Sequence, residues 1–178
     1  MSFSFPGGRR IQLLDGRLEE QDAEAVVSSD GSHLEMGGGV SRALLRAAGA
    51  QLAEQARQFV PVRAGRVVVT PGGKLRARFV FQGVTIGWGV GPKGTPLLPS
   101  RDLISEIMAG CFYHADTLNV RRIAFPLLGT GAGGLPREMC LDTMLQYLTR
   151  TFVYELTTVQ EARIVLFPPR KRPAPQRS

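Results

Sequence analysis

The sequence predicts an α/β/α sandwich, with a central mixed, mostly parallel sheet of about six strands and helices on both faces. Three observations predict it. Short β-branched and aromatic runs alternate along the chain with segments whose apolar residues recur at steps of three and four. Two of those runs are followed by glycine-rich loops, the usual link between a strand and the next helix in layered α/β folds. The chain has 178 residues and 43% hydrophobic content, enough for one core, and no internal repeat or linker divides it. Residues 1–167 are therefore read as one domain, followed by a basic, proline-rich, disordered tail over 168–178.

Taken in order, residues 1–8 read as a loose lead-in, and 9–14 mix polar and apolar side chains as in a first, exposed strand. Ala25, Val26 and Val27 suit a buried strand that ends in a loop at Ser28-Ser29-Asp30-Gly31. Beyond three glycines, Val40, Ala43, Leu44, Ala47 and Ala48 have helical spacing until Gly49 interrupts. Leu52, Ala53, Ala56 and Phe59 continue a second stripe. Residues 66–70 and 79–86 read as strands, with Pro71-Gly72-Gly73 closing the first. The stretch 87–94 is too rich in glycine to be regular and reads as a mobile loop, in which Trp88 and Lys93 suit a lid or a partner contact. From Ser100 a long helix carries Leu103, Ile104, Ile107, Met108, Cys111, Phe112 and Ala115 on one face. Residues 122–126 form a strand, and 137–153 a helix with Cys140, Met144, Leu148 and Phe152 at steps of four. Residues 163–167 close the domain as a last strand.

Composition excludes several classes. No apolar run approaches the ~18 residues of a membrane span, and the N-terminus lacks the charged-then-apolar pattern of a signal peptide. Cys111 and Cys140 fit buried thiols in a reducing, cytoplasmic setting, since they have neither disulfide nor metal-ligand spacing. His33 stands in a loop apart from any Cys, and His114 falls within a long helix, so neither a metal nor a cofactor is expected. Arg170, Lys171, Arg172 and Arg177 account for four of the seven net positive charges. The tail that holds them either touches nucleic acid or an acidic partner, or is a solvated terminus.

The chemistry concentrates in the two glycine loops. Gly37-Gly38-Gly39 runs into a helix whose first N–H groups have no intrahelical partner. Bare backbone before a helix N-terminus suits an anion, most naturally a phosphate. The second loop is Gly129-Thr130-Gly131-Ala132-Gly133-Gly134, with Pro136 set to open a helix. Both loops follow strands, so they should meet at the carboxyl edge of the sheet, where two phosphates of one ligand fit between them.

These residues resemble the macrodomain family, whose members bind ADP-ribose. The family's first motif has Gly-Asp-Ile/Leu, a hydrophobic pair with Asn-x-x-Asn, then three glycines and Val. It aligns without a gap to Gly16-Arg17-Leu18, Val26-Val27-Ser28-Ser29-Asp30-Gly31 and Gly37-Gly38-Gly39-Val40. The later motif, a strand ending in Pro and then Ser/Thr-Gly-x-x-Gly-x-Pro, matches Pro126 and Thr130 to Pro136. The resemblance runs from Gly16 to Phe167.

The resemblance implies that Gly38, Gly39, Val40, Gly129, Thr130, Gly131, Ala132, Gly133 and Gly134 surround a diphosphate. It also implies that Leu18 meets adenine through its main chain, and that Gly31 lies by the distal ribose. Phe167 sits where several macrodomains set an aromatic against adenine, although core is an equal reading. The departures bear on chemistry. The family Asp that accepts from the adenine amino group is Arg17, which has no acceptor lone pair and either stacks on the base or points into solvent. Ser28 and Gly31 replace the two Asn, Gly133 replaces an aromatic, and Ser41 stands where hydrolytic members carry an Asp. A neutral serine is a poor base without a partner. Phosphate contacts made by backbone survive all of these changes, so the expectation is a module that binds ADP-ribose or an ADP-ribosylated protein, with little hydrolysis. An alternative is an ADP-ribosyl hydrolase or O-acetyl-ADP-ribose deacetylase that uses Asp30, His33 or Ser41. For Asp30 and His33 the competing reading is a carboxylate bonded to its own turn and a surface histidine. A third possibility is a degenerate fold that binds nucleic acid or a protein through basic ends.

Overall fold

The computed structural model describes residues 1–89 and 91–167. Its strands are β1 (Ser2–Ser4), β2 (Arg10–Asp15), β3 (Ala25–Gly31), β4 (Val67–Pro71), β5 (Phe79–Ile86), β6 (Arg122–Phe125) and β7 (Glu161–Leu166). Its helices are α1 (Gly39–Ala48), α2 (Gln51–Ala56), α3 (Arg101–Thr117) and α4 (Arg137–Tyr154). All seven strands form one sheet, in the order β1-β2-β7-β6-β3-β5-β4. The five inner strands are mutually parallel, and an antiparallel strand closes each edge. Strands buried on both faces need no polar alternation, which is why β3 begins with an unbroken apolar run.

Alternate residues of β3 feed two cores. Ala25 and Val27 pack with α3 and α4, through residues such as Ile107, Cys111, Met144 and Leu148. Val26 faces the other way, with Leu44, Ala48 and Leu52 of α1 and α2. Each large apolar side chain so enclosed contributes roughly 1.5–3 kcal/mol relative to exposure. Every residue expected on the inner face of α3 is buried, as are Cys140, Met144, Leu148 and Phe152 of α4. The Ser100 hydroxyl caps α3 by accepting the Leu103 N–H at 3.2 Å.

Several boundaries differ from expectation. Residues 2–4 are not a loose lead-in: they pair with β2, Phe3 opposite Ile11. That pairing places β2 inside the sheet, between β1 and β7, with Ile11 fully buried. β3 does not stop at Val27. Ser28, Ser29 and Asp30 continue the ladder against Gln82, Gly83 and Val84 of β5, and the register shifts only at Gly31. The stripe expected to include Phe59 ends with α2 at Ala56, and Phe59 is 49% exposed. The base of the 87–94 stretch is regular, because Gly87 and Leu97 form an antiparallel bridge. The tail over 168–178 lies outside the described residues.

Candidate functional site

Parallel strands bring their carboxyl ends to one edge, so the segments after β3 and β6 must share it. They line one cleft of about 1100 Å³, which runs from the β5 end, at Thr85 and Trp88, past both glycine loops to Arg137 and Phe167. Ser29 fastens its parts together. Its carbonyl accepts the Ser41 hydroxyl of α1 at 2.9 Å. Its hydroxyl accepts the Gly129 N–H of the second loop at 3.1 Å and lies 3.1 Å from the Thr85 hydroxyl of β5.

The glycines divide into two kinds. Gly129 has φ +71°, and a Cβ there or at Gly133 would strike Pro99. Those two are glycine because the loop packs against its own fold. At Gly37, Gly38, Gly39 and Gly131 a Cβ would meet no protein atom within 4 Å. α1 starts at Gly39 with no side chain capping it, so its first N–H groups face the same open space with the positive end of the helix dipole. The loop that delivers α1 is held at two points. Leu34 and Met36 have φ +48° and +51°, conformations that cost energy for side chains of this size. Both are buried, Leu34 in the core under α3 and Met36 in the core under α1. Burial in two cores outweighs the backbone strain and fixes the glycine turn.

Asp30 lies at the cleft, only 5% exposed. Its carboxylate accepts the Ser28 hydroxyl, and the Ser41 hydroxyl lies against it. Burial pushes the carboxyl above its ordinary 3.8, while the two serine hydroxyls oppose that shift. His33 is exposed at the rim, and no hydrogen bond joins it to Asp30 among the described residues. The arrangement therefore offers backbone N–H donors for an anion, and beside them a carboxyl held by hydroxyls.

The family model described as Macro domain matches residues 27–144. The chain belongs to the Macro domain family. A relative from Salmonella newport, named O-acetyl-ADP-ribose deacetylase, is 32% identical over 79% of this chain and 80% of its own. Among solved structures, the Oceanobacillus iheyensis macrodomain with ADP superposes with a TM-score of 0.82 at 22% identity, covering 96% of this chain and 89% of its own. The Trypanosoma brucei macrodomain in complex with ADP-ribose gives 0.76 at 24% identity, over 88% and 63%. At such identities these two structures speak to fold.

Within this Macro domain, the predicted residues that line the cleft are Asp30, Gly31, His33, Gly38, Gly39, Val40, Ser41, Gly129, Thr130, Gly131, Ala132, Gly133 and Phe167. Three do not. Arg17 points away, 63% exposed, and pairs with Glu19 at 3.5 Å and Glu20 at 3.3 Å, which opposes stacking on a base. The Leu18 side chain is fully buried in the core under α1. Gly134, at φ +70°, closes the loop through its N–H to the Gly131 carbonyl. Phe167 is 38% exposed at the cleft, where its carbonyl accepts from Arg137 at 3.3 Å. Asp30 belongs to β3 and not to a loop, and no Asp–His pair forms. Ser29, Thr85 and Arg137 are site residues the sequence reading did not single out. Arg137, just after Pro136 at the start of α4, was the most legible of the three.

Proposed function

We propose that this Macro domain binds ADP-ribose, free or attached to a protein, with the diphosphate between the loops at Gly38-Gly39-Val40 and Gly131-Ala132-Gly133. The observation that carries the reading is the open space above Gly37, Gly38, Gly39 and Gly131. Nothing in the fold forbids a side chain at these positions, yet each is bare and fronts a helix N-terminus or a loop of N–H groups. Arg137 adds a cation to the same cleft. The buried free thiols Cys111 and Cys140 suit a cytoplasmic home.

The test is calorimetric titration with ADP-ribose, with AMP as the comparison ligand. Micromolar-range binding is expected, with AMP weaker because it spans one phosphate site only. Gly131→Glu should abolish it while leaving the melting temperature intact, since a Cβ at Gly131 meets no protein atom within 4 Å. Unchanged affinity in that variant would sink the reading.

The second reading is hydrolysis of the acetyl ester of O-acetyl-ADP-ribose, or of a protein-linked ADP-ribosyl bond. Asp30 at the cleft supports it, as does the Salmonella relative's name. A carboxylate must be ionised to take a proton from water, so its rate should rise with pH through the raised Asp30 ionisation. Acetate release that survives Asp30→Asn would rule this residue out as the base.

A further inference from the structure

The charge on this protein is segregated. Between Gly37 and Pro99 the chain carries nine cationic side chains, seven of them arginine, against a single acid, Glu54. All nine cations are exposed. None takes part in an ion pair among the described residues, where every salt bridge joins residues from 10–22 or 101–163. Even Glu106 of α3, whose carboxylate reaches Gly65, pairs with neither Arg63 nor Arg66.

The fold gathers this segment around the β4 edge of the sheet, which makes that edge a basic face. The Lys74 N–H bonds the Ala48 carbonyl at 3.0 Å, which sets the β4–β5 turn against the end of α1 beside Arg46. Arg57 follows directly after α2, and the next loop carries Arg63 and Arg66. The Ala64 N–H bonds the Trp88 carbonyl at 2.8 Å, and the Val62 N–H bonds the Ser32 carbonyl at 2.8 Å. The basic loop thus ends at the rim of the cleft. Two aromatic rings stand exposed along it, Phe59 at 49% and Trp88 at 60%.

We infer that this face binds single-stranded nucleic acid, with phosphates on Arg57, Arg63 and Arg66 and bases on Phe59 and Trp88. Unpaired like charges held together repel each other, which disfavours the patch unless a polyanion neutralises it. Arginine forks suit phosphate oxygens, and exposed rings among them offer stacking surfaces that a duplex, its bases already stacked, cannot use. Every base carries a face that can stack on these rings, whereas an acidic protein segment can use them only through apolar side chains of its own. The face is built from residues other than those of the basic tail and does not rely on the cleft being filled.

Fluorescence anisotropy tests it, with the full chain and a labelled oligouridine of about twelve nucleotides. The double variant Arg57→Glu/Arg63→Glu should weaken binding at least ~10-fold and flatten the slope of log K against log salt by about 1.4. Phe59→Ala should cost about 5- to 150-fold on the single strand and leave a duplex of equal length unaffected. Replacing Arg170, Lys171, Arg172 and Arg177 together with serine should change nothing. Calorimetry with ADP-ribose on the double variant reports an intact fold and cleft. The proposal fails if oligouridine does not bind, if binding ignores either set of changes at the face, or if it is lost with the tail cations. Polyglutamate binding as tightly as oligouridine would also overturn it, in favour of an acidic protein partner. Failure of ADP-ribose to bind the wild type, with oligouridine still bound, would overturn the cleft reading alone.

Discussion

Gly131 and Gly129 lie two residues apart in one loop and should answer substitution in opposite ways. A Cβ on Gly129 requires a non-glycine residue at φ +71° and a contact of 2.7 Å with Pro99. Gly129→Ala should therefore destabilise by at least ~1 kcal/mol in denaturant unfolding. Gly131→Ala meets open space and should be close to neutral for stability, yet lower ADP-ribose affinity through crowding of the diphosphate. Asp30 gives a pH signature of its own. Its folded pKa is raised above 3.8, so its contribution to stability is fully present below pH 3.8 and is lost as pH rises through the folded value. Asp30→Asn does not ionise. Its melting temperature relative to wild type should thus climb as pH rises above 3.8 and level off above the folded value; a flat difference would mean that the carboxylate is better solvated than its burial indicates.

At the scale of elements, Ser29 is where β3, α1, β5 and the second glycine loop are tied. Ser29→Ala removes the acceptor of the Gly129 N–H, and an orphaned buried N–H costs roughly 1–3 kcal/mol. Because the freed group belongs to the ligand loop, affinity for ADP-ribose should fall along with the midpoint of urea unfolding. Loss of stability with full affinity would show that the loop holds its shape without the tie. This junction was hidden in the sequence for a physical reason. Strand prediction rests on apolar runs, and β3 carries Ser28, Ser29 and Asp30 on its last turns because they serve the cleft. α3 and α4 were legible because seventeen and eighteen residues of helical period leave little ambiguity. β1 was not, since three exposed residues at a sheet edge carry no burial pattern to read. Arg17 was read as either stacking on a base or pointing into solvent, and its side chain stands 63% exposed beside Glu19 and Glu20.

At the scale of the whole molecule, two ion pairs among the described residues hold the sheet itself, and both are made by Glu161. Glu161 opens β7 at 3% exposure and stands in register with Arg10 of β2 on one side and Arg122 of β6 on the other. Its carboxylate bonds the guanidinium groups of Arg10 and Arg163, so one buried acid links two strands at the end of the sheet opposite the cleft. Burial alone would raise its pKa, but the hydrogen bonds and charges of Arg163 and Arg10 prevail and hold it below the ordinary 4.5. The sign is therefore opposite to that of Asp30. Stability from Glu161 is present above pH 4.5 and is lost as pH falls through its folded value. Glu161→Gln should unfold more easily than wild type at neutral pH, because Arg10 and Arg163 are left facing an uncharged amide at a buried site. The gap should close as pH falls below 4.5, where the wild-type carboxylate takes up its proton. Urea unfolding across that range measures it, and a gap that stays constant with pH would show that the pair stabilises the sheet through shape, with charge contributing nothing.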